Sequence, residues 1–198
     1  MIQEGLFYQN TKTMKAIAIK TFAVLALLLA GAQAQAQDID ESKLVGTYEL
    51  NKTMAQEDPD MGMTITIALK ATLTLNADHS VAREGVMEMQ MPIDEEGISN
   101  TFILKFNFKS IGETWAVEDG NLLNDIQDID MKFMDATAEK NDMIAAMMLG
   151  ELKKQGPAMA EGLKQSLKGK SIEKIVSVDE KGIATVDNSD NDFFYTRK

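Results

Sequence analysis

The sequence predicts a mainly β protein: an up-and-down antiparallel β-barrel of about eight to nine strands, with a helical insert before the last three strands. Three observations lead to this prediction. Apolar and polar residues alternate along most of the chain from residue 43 onward, in segments that end at turns. The spacing of apolar residues becomes helical within residues 138–168. Three short alternating segments then complete the chain.

The clearest strand covers residues 63–75, where every odd position is apolar and most even positions are threonine or lysine. Such a period of two indicates a long strand with one buried face. A polar turn, Asn-Ala-Asp-His, follows it. Residues 81–91 then return with Met87, Met89 and Met91 on one face. The two segments therefore predict a hairpin.

The alternation continues through the middle of the chain. The acidic stretch 92–97 predicts a loop. Residues 101–109 predict a strand with four large side chains on its buried face: Phe102, Leu104, Phe106 and Phe108. A strand around Trp115 leads through an Asp-Gly turn into a returning strand at residues 122–131.

The helical segment contains two sets of apolar residues, separated by Gly156-Pro157. These are Met143, Ile144, Met147, Met148 and Leu152, then Met159, Leu163 and Leu167. Because proline suits the first turn of a helix better than its interior, Pro157 predicts the start of a second helix. We therefore expect a broken helix or a helical hairpin. Strands at 171–178, 183–187 and 192–197 follow, and a strand at 43–50 precedes all the others.

Sequential hairpins with one buried face must protect their edge strands, and closure into a barrel removes the edges altogether. A two-sheet sandwich is the alternative architecture. The short turns favour the barrel, because sandwiches need longer crossovers between their sheets. A barrel of this size is either filled by its own side chains or able to hold one small ligand.

Residues 14–36 have the features of a secretory signal peptide: two lysines, a short apolar run, and small residues before a cleavage site near Ala34 or Ala36. We interpret residues 1–13 as a mis-assigned N-terminal extension, with Met14 as the initiator. The apolar run is about half of the roughly 20 residues that a spanning helix needs, so no stable membrane insertion is predicted. No cysteine follows it, which excludes a lipid-anchored protein. The protein is therefore expected in the periplasm or outside the cell.

Residues 37–198 suit a single barrel domain. They carry 17 basic and 30 acidic side chains, a net charge of −13. This balance disfavours nucleic acid and anionic membranes as partners, since both require a basic surface. The chain has no cysteine, which rules out thiol catalysis, thiolate metal sites and disulfides.

Three short motifs resemble those of lipocalins and related calycins, in particular the lipocalin-like domains of small exported bacterial proteins. The segment Leu44–Tyr48 lies where those proteins carry Gly-x-Trp, and Thr114–Leu122 resembles their Trp strand with its acidic-Gly turn. Arg197 lies where lipocalins carry an arginine near the end of the last strand. The resemblance implies that Arg197 stacks on Tyr48, next to Gly46, and closes the base of the barrel. Tyr48 replaces the usual tryptophan, and three strands rather than one follow the helix.

The leading functional hypothesis is a binding protein that holds an apolar or amphipathic small molecule inside the barrel. Its cavity would be lined by flexible and aromatic side chains: Met87, Met89, Met91, Phe102, Leu104, Phe106, Phe108 and Trp115. The alternative is a structural or interaction protein of the cell envelope with a side-chain-filled barrel. A remote alternative is copper binding by methionine thioethers, from Met61 and Met63 together with Met87, Met89 and Met91.

No catalytic residue, cofactor or metal ligand is predicted. His79 is the single histidine, which leaves no partner for a serine triad or an imidazole metal site. Acidic groups cluster in predicted turns, and whether they bind calcium is left open. No phosphate-binding loop or nucleophile elbow occurs in the chain. An enzyme is therefore not expected.

Overall fold

The computed structural model describes residues 39–58, 63–95 and 98–198. Within these residues the chain forms ten strands, one α-helix and a short 3-10 turn at Glu41–Lys43. The strands are β1 Gly46–Asp58, β2 Met63–Leu75, β3 Ser80–Glu95, β4 Ile98–Ile111, β5 Glu113–Glu118, β6 Asn121–Ile126, β7 Asp128–Ala138, β8 Gly169–Val178, β9 Gly182–Val186 and β10 Asp192–Arg197, and the helix α1 is Met143–Ser166, between β7 and β8. The predicted signal peptide and extension lie outside the described residues.

Eight of the strands close an antiparallel barrel in the order β2-β1-β10-β9-β8-β6-β5-β3, with β3 pairing back to β2. Strands β4 and β7 extend the sheet beyond β3. Because β4 continues into β5 and β6 into β7, the chain still follows an up-and-down path. The predicted fold class, a mainly β barrel with a helix before the last three strands, is confirmed, and the sandwich alternative is wrong.

Strands β4 and β5 pair with β7 and β6 to form one long hairpin. The barrel opens at one end because this hairpin bends in its middle. The bend lies at Gly112, whose φ of +63° favours glycine over residues with a side chain. On one side of the bend, β6 pairs with β8 as far as Ile126 opposite Gly169. On the other side, β7 pairs with β4. Strand β8 begins at Gly169 and does not pair with β7, and α1 packs against β7 instead.

Two hydrophobic cores fill the interior. The barrel core, at the closed end, consists of Leu44, Tyr48, Leu50, Ala71, Leu73, Leu75, Val81, Trp115, Leu122, Ile175, Ile183 and Tyr195. The helix core, at the open end, lies between α1 and the inner face of β2, β3, β4 and β7. It includes Ile67, Met89, Met91, Phe102, Leu104, Phe106, Met148, Leu152, Met159 and Leu163.

The helix is continuous through Pro157, so the predicted break is wrong. Asp142 caps its N-terminus by accepting a hydrogen bond from the Ala145 amide at 2.8 Å. Buried residues continue at helical spacing across the proline, and Pro157 itself is exposed. Packing on both sides of the proline therefore outweighs its cost of about 3 kcal/mol in a helix interior. Among the described residues, no helix combines the length and apolarity needed to cross a membrane.

Two strand predictions also need correction. Residues 92–95, predicted as part of a loop, belong to β3, which pairs with β4 as far as Glu95 opposite Ile98. Pro92 is tolerated there because the pairing of β3 with β2 ends at Gln90. The edge of β3 that faced β2 therefore needs no backbone N–H donor at residue 92. The strand predicted at 122–131 is divided into β6 and β7, and β7 extends to Ala138.

The base of the barrel is closed by contacts between β1 and β10. Arg197 is paired with Tyr48 in register, and its guanidinium lies 5.0 Å from the centre of the Tyr48 ring. It donates to the Tyr48 hydroxyl at 2.7 Å and to the carbonyls of Val45 and Lys43. A Cβ at Gly46 would lie 2.7 Å from Arg197 Nη1, so glycine makes room for this cation.

We expect Arg197→Gln to lower the free energy of unfolding by about 1–3 kcal/mol, because the part-buried Tyr48 hydroxyl and Val45 carbonyl lose their charged donor. Lys198→Gln is the matched control. It removes a cation from an exposed pair with Glu49 and should change stability by less than about 0.5 kcal/mol. Urea unfolding of both variants checks this, and equal losses would contradict the role of Arg197.

A second test concerns the contact of α1 with β7. A Cβ at Gly156 would overlap the ring of Phe133, whereas a Cβ at Gly150 would meet nothing within 4 Å. We expect Gly156→Ala to destabilise the protein by about 1–3 kcal/mol through overpacking. Gly150→Ala should stabilise it by about 0.5–1 kcal/mol through helix propensity. Thermal unfolding compares the two, and stabilisation by both would show that α1 does not pack closely on Phe133.

Candidate functional site

A cavity of about 200 Å³ lies between the barrel core and the helix core. Most of its wall is apolar and comes from inward-facing side chains of β1, β2, β3, β4 and β7. The central wall residues are Leu50, Leu69, Met87, Phe108, Ile129 and Met131. The cavity follows directly from the opening of the barrel, because α1 covers the open end without filling the interior down to the barrel core.

The rim of the cavity is the segment that joins α1 to β8, residues 166–172, together with Asp187. Lys168 of this rim contacts Asp128 at 2.7 Å, and Lys164 of α1 lies 3.5 Å from the same carboxylate. Hydrogen bonding to Lys168, with a smaller contribution from the Ile129 amide, lowers the pKa of Asp128 to about 2. These contacts attach the end of α1 to the bend between β6 and β7, and the rim carries charges of both signs.

The floor of the cavity is polar. Glu173 of β8 is buried, and its carboxyl group accepts hydrogen bonds from the hydroxyl groups of Tyr195, at 2.9 and 3.0 Å, and Thr185. Burial raises the pKa of Glu173 above its ordinary value. Burial and the adjacent Glu173 raise the pKa of Tyr195 well above 10. The floor thus holds an acidic group in an unusual environment for a carboxylate.

A charge pair lies next to Glu173. Arg83 Nη2 is 2.7 Å from Glu113 Oε1, and the Glu113 side chain is fully buried. The two groups form a salt bridge. Burial alone would lower the pKa of Arg83, but Glu113, Tyr195 and Glu173 together raise it. Asn124, also buried in this layer, has no hydrogen-bond partner for its amide among the described residues.

The predicted cavity residues divide into two groups. Met87 and Phe108 line the cavity. The other six are buried in the cores: Met89, Met91, Phe102, Leu104 and Phe106 in the helix core and Trp115 in the barrel core. The physical reason is the position of α1, which packs on the inner face that would otherwise border an open interior.

The charged floor was not predicted from the sequence. Arg83, Glu113 and Glu173 all occupy inward positions of their strands, two residues from Val81, Trp115 and Ile175 respectively. A charged residue at an inward position of an alternating strand is the signal that could have revealed them, because such a residue must find a buried partner.

The other side chains considered as metal ligands make structural contacts. His79 is half-exposed in its turn, and its ring lies 4.9 Å from that of Trp115. The Asp187 carboxylate accepts hydrogen bonds from Ser189 and Asn191 and thereby closes its own turn. Within the described part of the chain, no three His, Cys, Asp or Glu side chains are placed to hold a metal ion. Met61 lies outside the described residues, so methionine-based copper binding stays a prediction.

A groove of about 730 Å³ also runs along the outer face of β1, β2, β3, β4 and β7. Gly85 forms its bottom, because a Cβ there would overlap the Lys70 carbonyl. Its walls carry both basic and acidic groups, including Lys109 and Asp130. The groove is open to solvent, and none of the described residues that line it is a buried polar anchor comparable to Glu173.

Comparison with known protein families and with curated proteins finds no significant match to this chain. Function is therefore inferred from the interior site, where an apolar cavity meets a polar floor. The apolar part of a bound molecule would contact the wall, and its polar part would contact the floor.

We expect the stability of the protein to depend on the protonation of Glu173. A carboxyl group whose pKa is raised in the folded state favours folding below its unfolded pKa of about 4.3, and this contribution is lost as pH rises through the folded pKa. The wild type should therefore lose stability relative to Glu173→Gln as pH rises from 4 to 8. The loss is about 1.4 kcal/mol for each pH unit that separates the folded from the unfolded pKa.

Urea unfolding across this pH range measures the effect. Glu180→Gln, in an exposed turn, is the control, and its stability should follow that of the wild type at every pH. A constant difference between the wild type and Glu173→Gln would contradict a raised pKa at this site.

Proposed function

We propose that the protein is an exported lipocalin-like barrel that binds a small amphipathic molecule in its interior. The observation that carries the proposal is the cavity with an apolar wall and a buried polar floor. Binding sites commonly combine a mostly apolar lining with a few polar groups that fix the orientation of the ligand. The resemblance of the first, fifth and last strands to those of lipocalins supports the same class of function.

The cavity volume limits the size of the ligand. An engineered protein cavity of about 150 Å³ is known to hold benzene. A cavity of 200 Å³ accordingly suits a molecule of roughly ten non-hydrogen atoms. Met87 and Met131 in the wall have flexible, polarizable side chains, which allow the pocket to adapt to different shapes. The expected ligand is therefore small, with one apolar end and one polar end.

Export is the part of the proposal that rests on sequence alone. The signal-peptide features of residues 14–36 support it. The proposed activity is binding rather than catalysis. The single histidine of the chain lies in an outer turn, where it cannot activate a hydroxyl group of the floor as a nucleophile.

A second candidate is an interaction protein of the cell envelope. It is favoured by an exposed apolar set at the start of α1 and on β7: Met143, Ile144, Met147 and Met134. In this case the interior would not need to bind a ligand. The two candidates differ in whether the cavity takes up small molecules.

The test is titration of the purified domain, residues 37–198, with 1-hexanol, followed by calorimetry and by NMR shifts of cavity residues. We expect binding by the wild type. Leu69→Trp should weaken it at least tenfold, because the indole fills the cavity. Ala68→Trp is the matched control, since residue 68 lies on the opposite face of the same strand and does not line the cavity.

Equal binding by the two tryptophan variants would place the alcohol outside the cavity and contradict the proposal. Absence of binding by the wild type would contradict it as well and would favour the interaction protein.

A further inference from the structure

We propose that the molecule bound by this barrel is an amphipathic amine, with its ammonium group against Glu173 and its apolar part against Met87, Phe108 and Met131. This inference rests on the proposed function and adds the chemical class of the ligand. It follows from the charges of the cavity floor, the hydrogen bonds that these charges already make, and the position of Glu173 in the wall.

The buried floor contains one more acid than base. Arg83 is the cation next to the carboxyl groups of Glu113 and Glu173, and its close partner is Glu113, at 2.7 Å. Glu173 faces the same guanidinium but makes no hydrogen bond to it among the described contacts. With both carboxyl groups ionised, the floor has a net charge of −1. A buried charge without a partner is costly, so a bound cation would complete the site.

Glu173 is also placed to receive such a cation. Its two hydrogen-bond partners, the hydroxyl groups of Tyr195 and Thr185, each have one proton to donate. A carboxylate can accept about four hydrogen bonds, so acceptor positions remain available. Because Glu173 forms part of the cavity floor, an ammonium group inside the cavity can reach it directly.

The surroundings favour a cation over an anion. An anionic head at the floor would face the Glu173 carboxyl group, and the Arg83 guanidinium there is already paired with Glu113. At the rim, Lys168 is paired with Asp128, and the opposite charges of Lys170 and Asp187 offset each other. The whole domain, with a net charge of −13, also attracts cations from solution.

Protonation of Glu173 provides a second readout. The groups that act on this carboxyl are Arg83 on β3, Thr185 on β9, Tyr195 on β10 and Asp187 after β9, and Glu113 on β5 acts on the adjacent Tyr195. Since burial raises the pKa of Glu173, the empty site binds a proton more readily than a solvated carboxylate does. An ammonium group favours the ionised form. Amine affinity should consequently rise with pH through the pKa of Glu173, whereas alcohol affinity should not.

The experiment compares three probes with the same alkyl chain: 1-hexylamine, 1-hexanol and hexanoate. Each is titrated calorimetrically into the wild type, Glu173→Gln and the control Glu180→Gln, at pH values from 5 to 8. In the wild type and the control we expect hexylamine to bind at least tenfold more tightly than hexanol, and hexanoate to bind most weakly. In Glu173→Gln the amine preference and its pH dependence should disappear, while hexanol binding persists and shows that the cavity is intact.

Equal or tighter binding of hexanol or hexanoate in the wild type would overturn the inference and leave the proposed function standing. An amine preference that survives in Glu173→Gln would also overturn it. If none of the three probes binds the wild type, the proposed function itself fails. Should Glu173→Gln not fold, Thr185→Val provides a second variant: loss of a donor to Glu173 should leave hexylamine preferred over hexanol and shift its pH dependence upward.

Discussion

The end of the ladder between β6 and β8 determines the rest of this structure. The β6–β8 ladder ends where Ile126 faces Gly169. Beyond this point these two strands no longer close the barrel. The inner faces of β3, β4 and β7 nevertheless remain apolar. Their large side chains must be removed from water, and α1 accomplishes this by packing across them. The position of the helix, the division of the interior into two cores, and the cavity between them all follow from this opening.

The buried charges require a different explanation, because they contribute little to stability. Taking two carboxyl groups and one guanidinium out of water is costly, and well-packed apolar residues in their place are often at least as stable. The floor of the cavity therefore has the character of a functional site. Glu173 holds two hydroxyl donors in place, and Arg83 and Glu113 balance each other beside it. A floor of this kind can orient a ligand whose apolar end lies against the methionines of the wall.

Periodicity alone predicted most of the barrel but only part of the site. Residues 63–75 form a strand with the bounds that alternation suggested, because one face is buried along its length. Pro157 was misleading because its local effect is smaller than the packing of the helix on either side. Alternation places Met87 and Phe108 on the inner face of their strands, and both line the cavity. Alternation gives no information on what covers that face. Leu104 also points inward, yet it lies under α1. The charged floor depends on strand neighbours that sequence order does not reveal.

An unfilled apolar cavity between the two cores is the feature on which the proposed function depends, and diffraction from xenon-pressurised crystals tests it most directly. Xenon enters dry apolar cavities of this size without requiring a polar group. We predict a xenon peak among Met87, Phe108 and Met131, above the floor formed by Glu173. An interior filled by its own side chains, with no xenon between the two cores, would contradict this account.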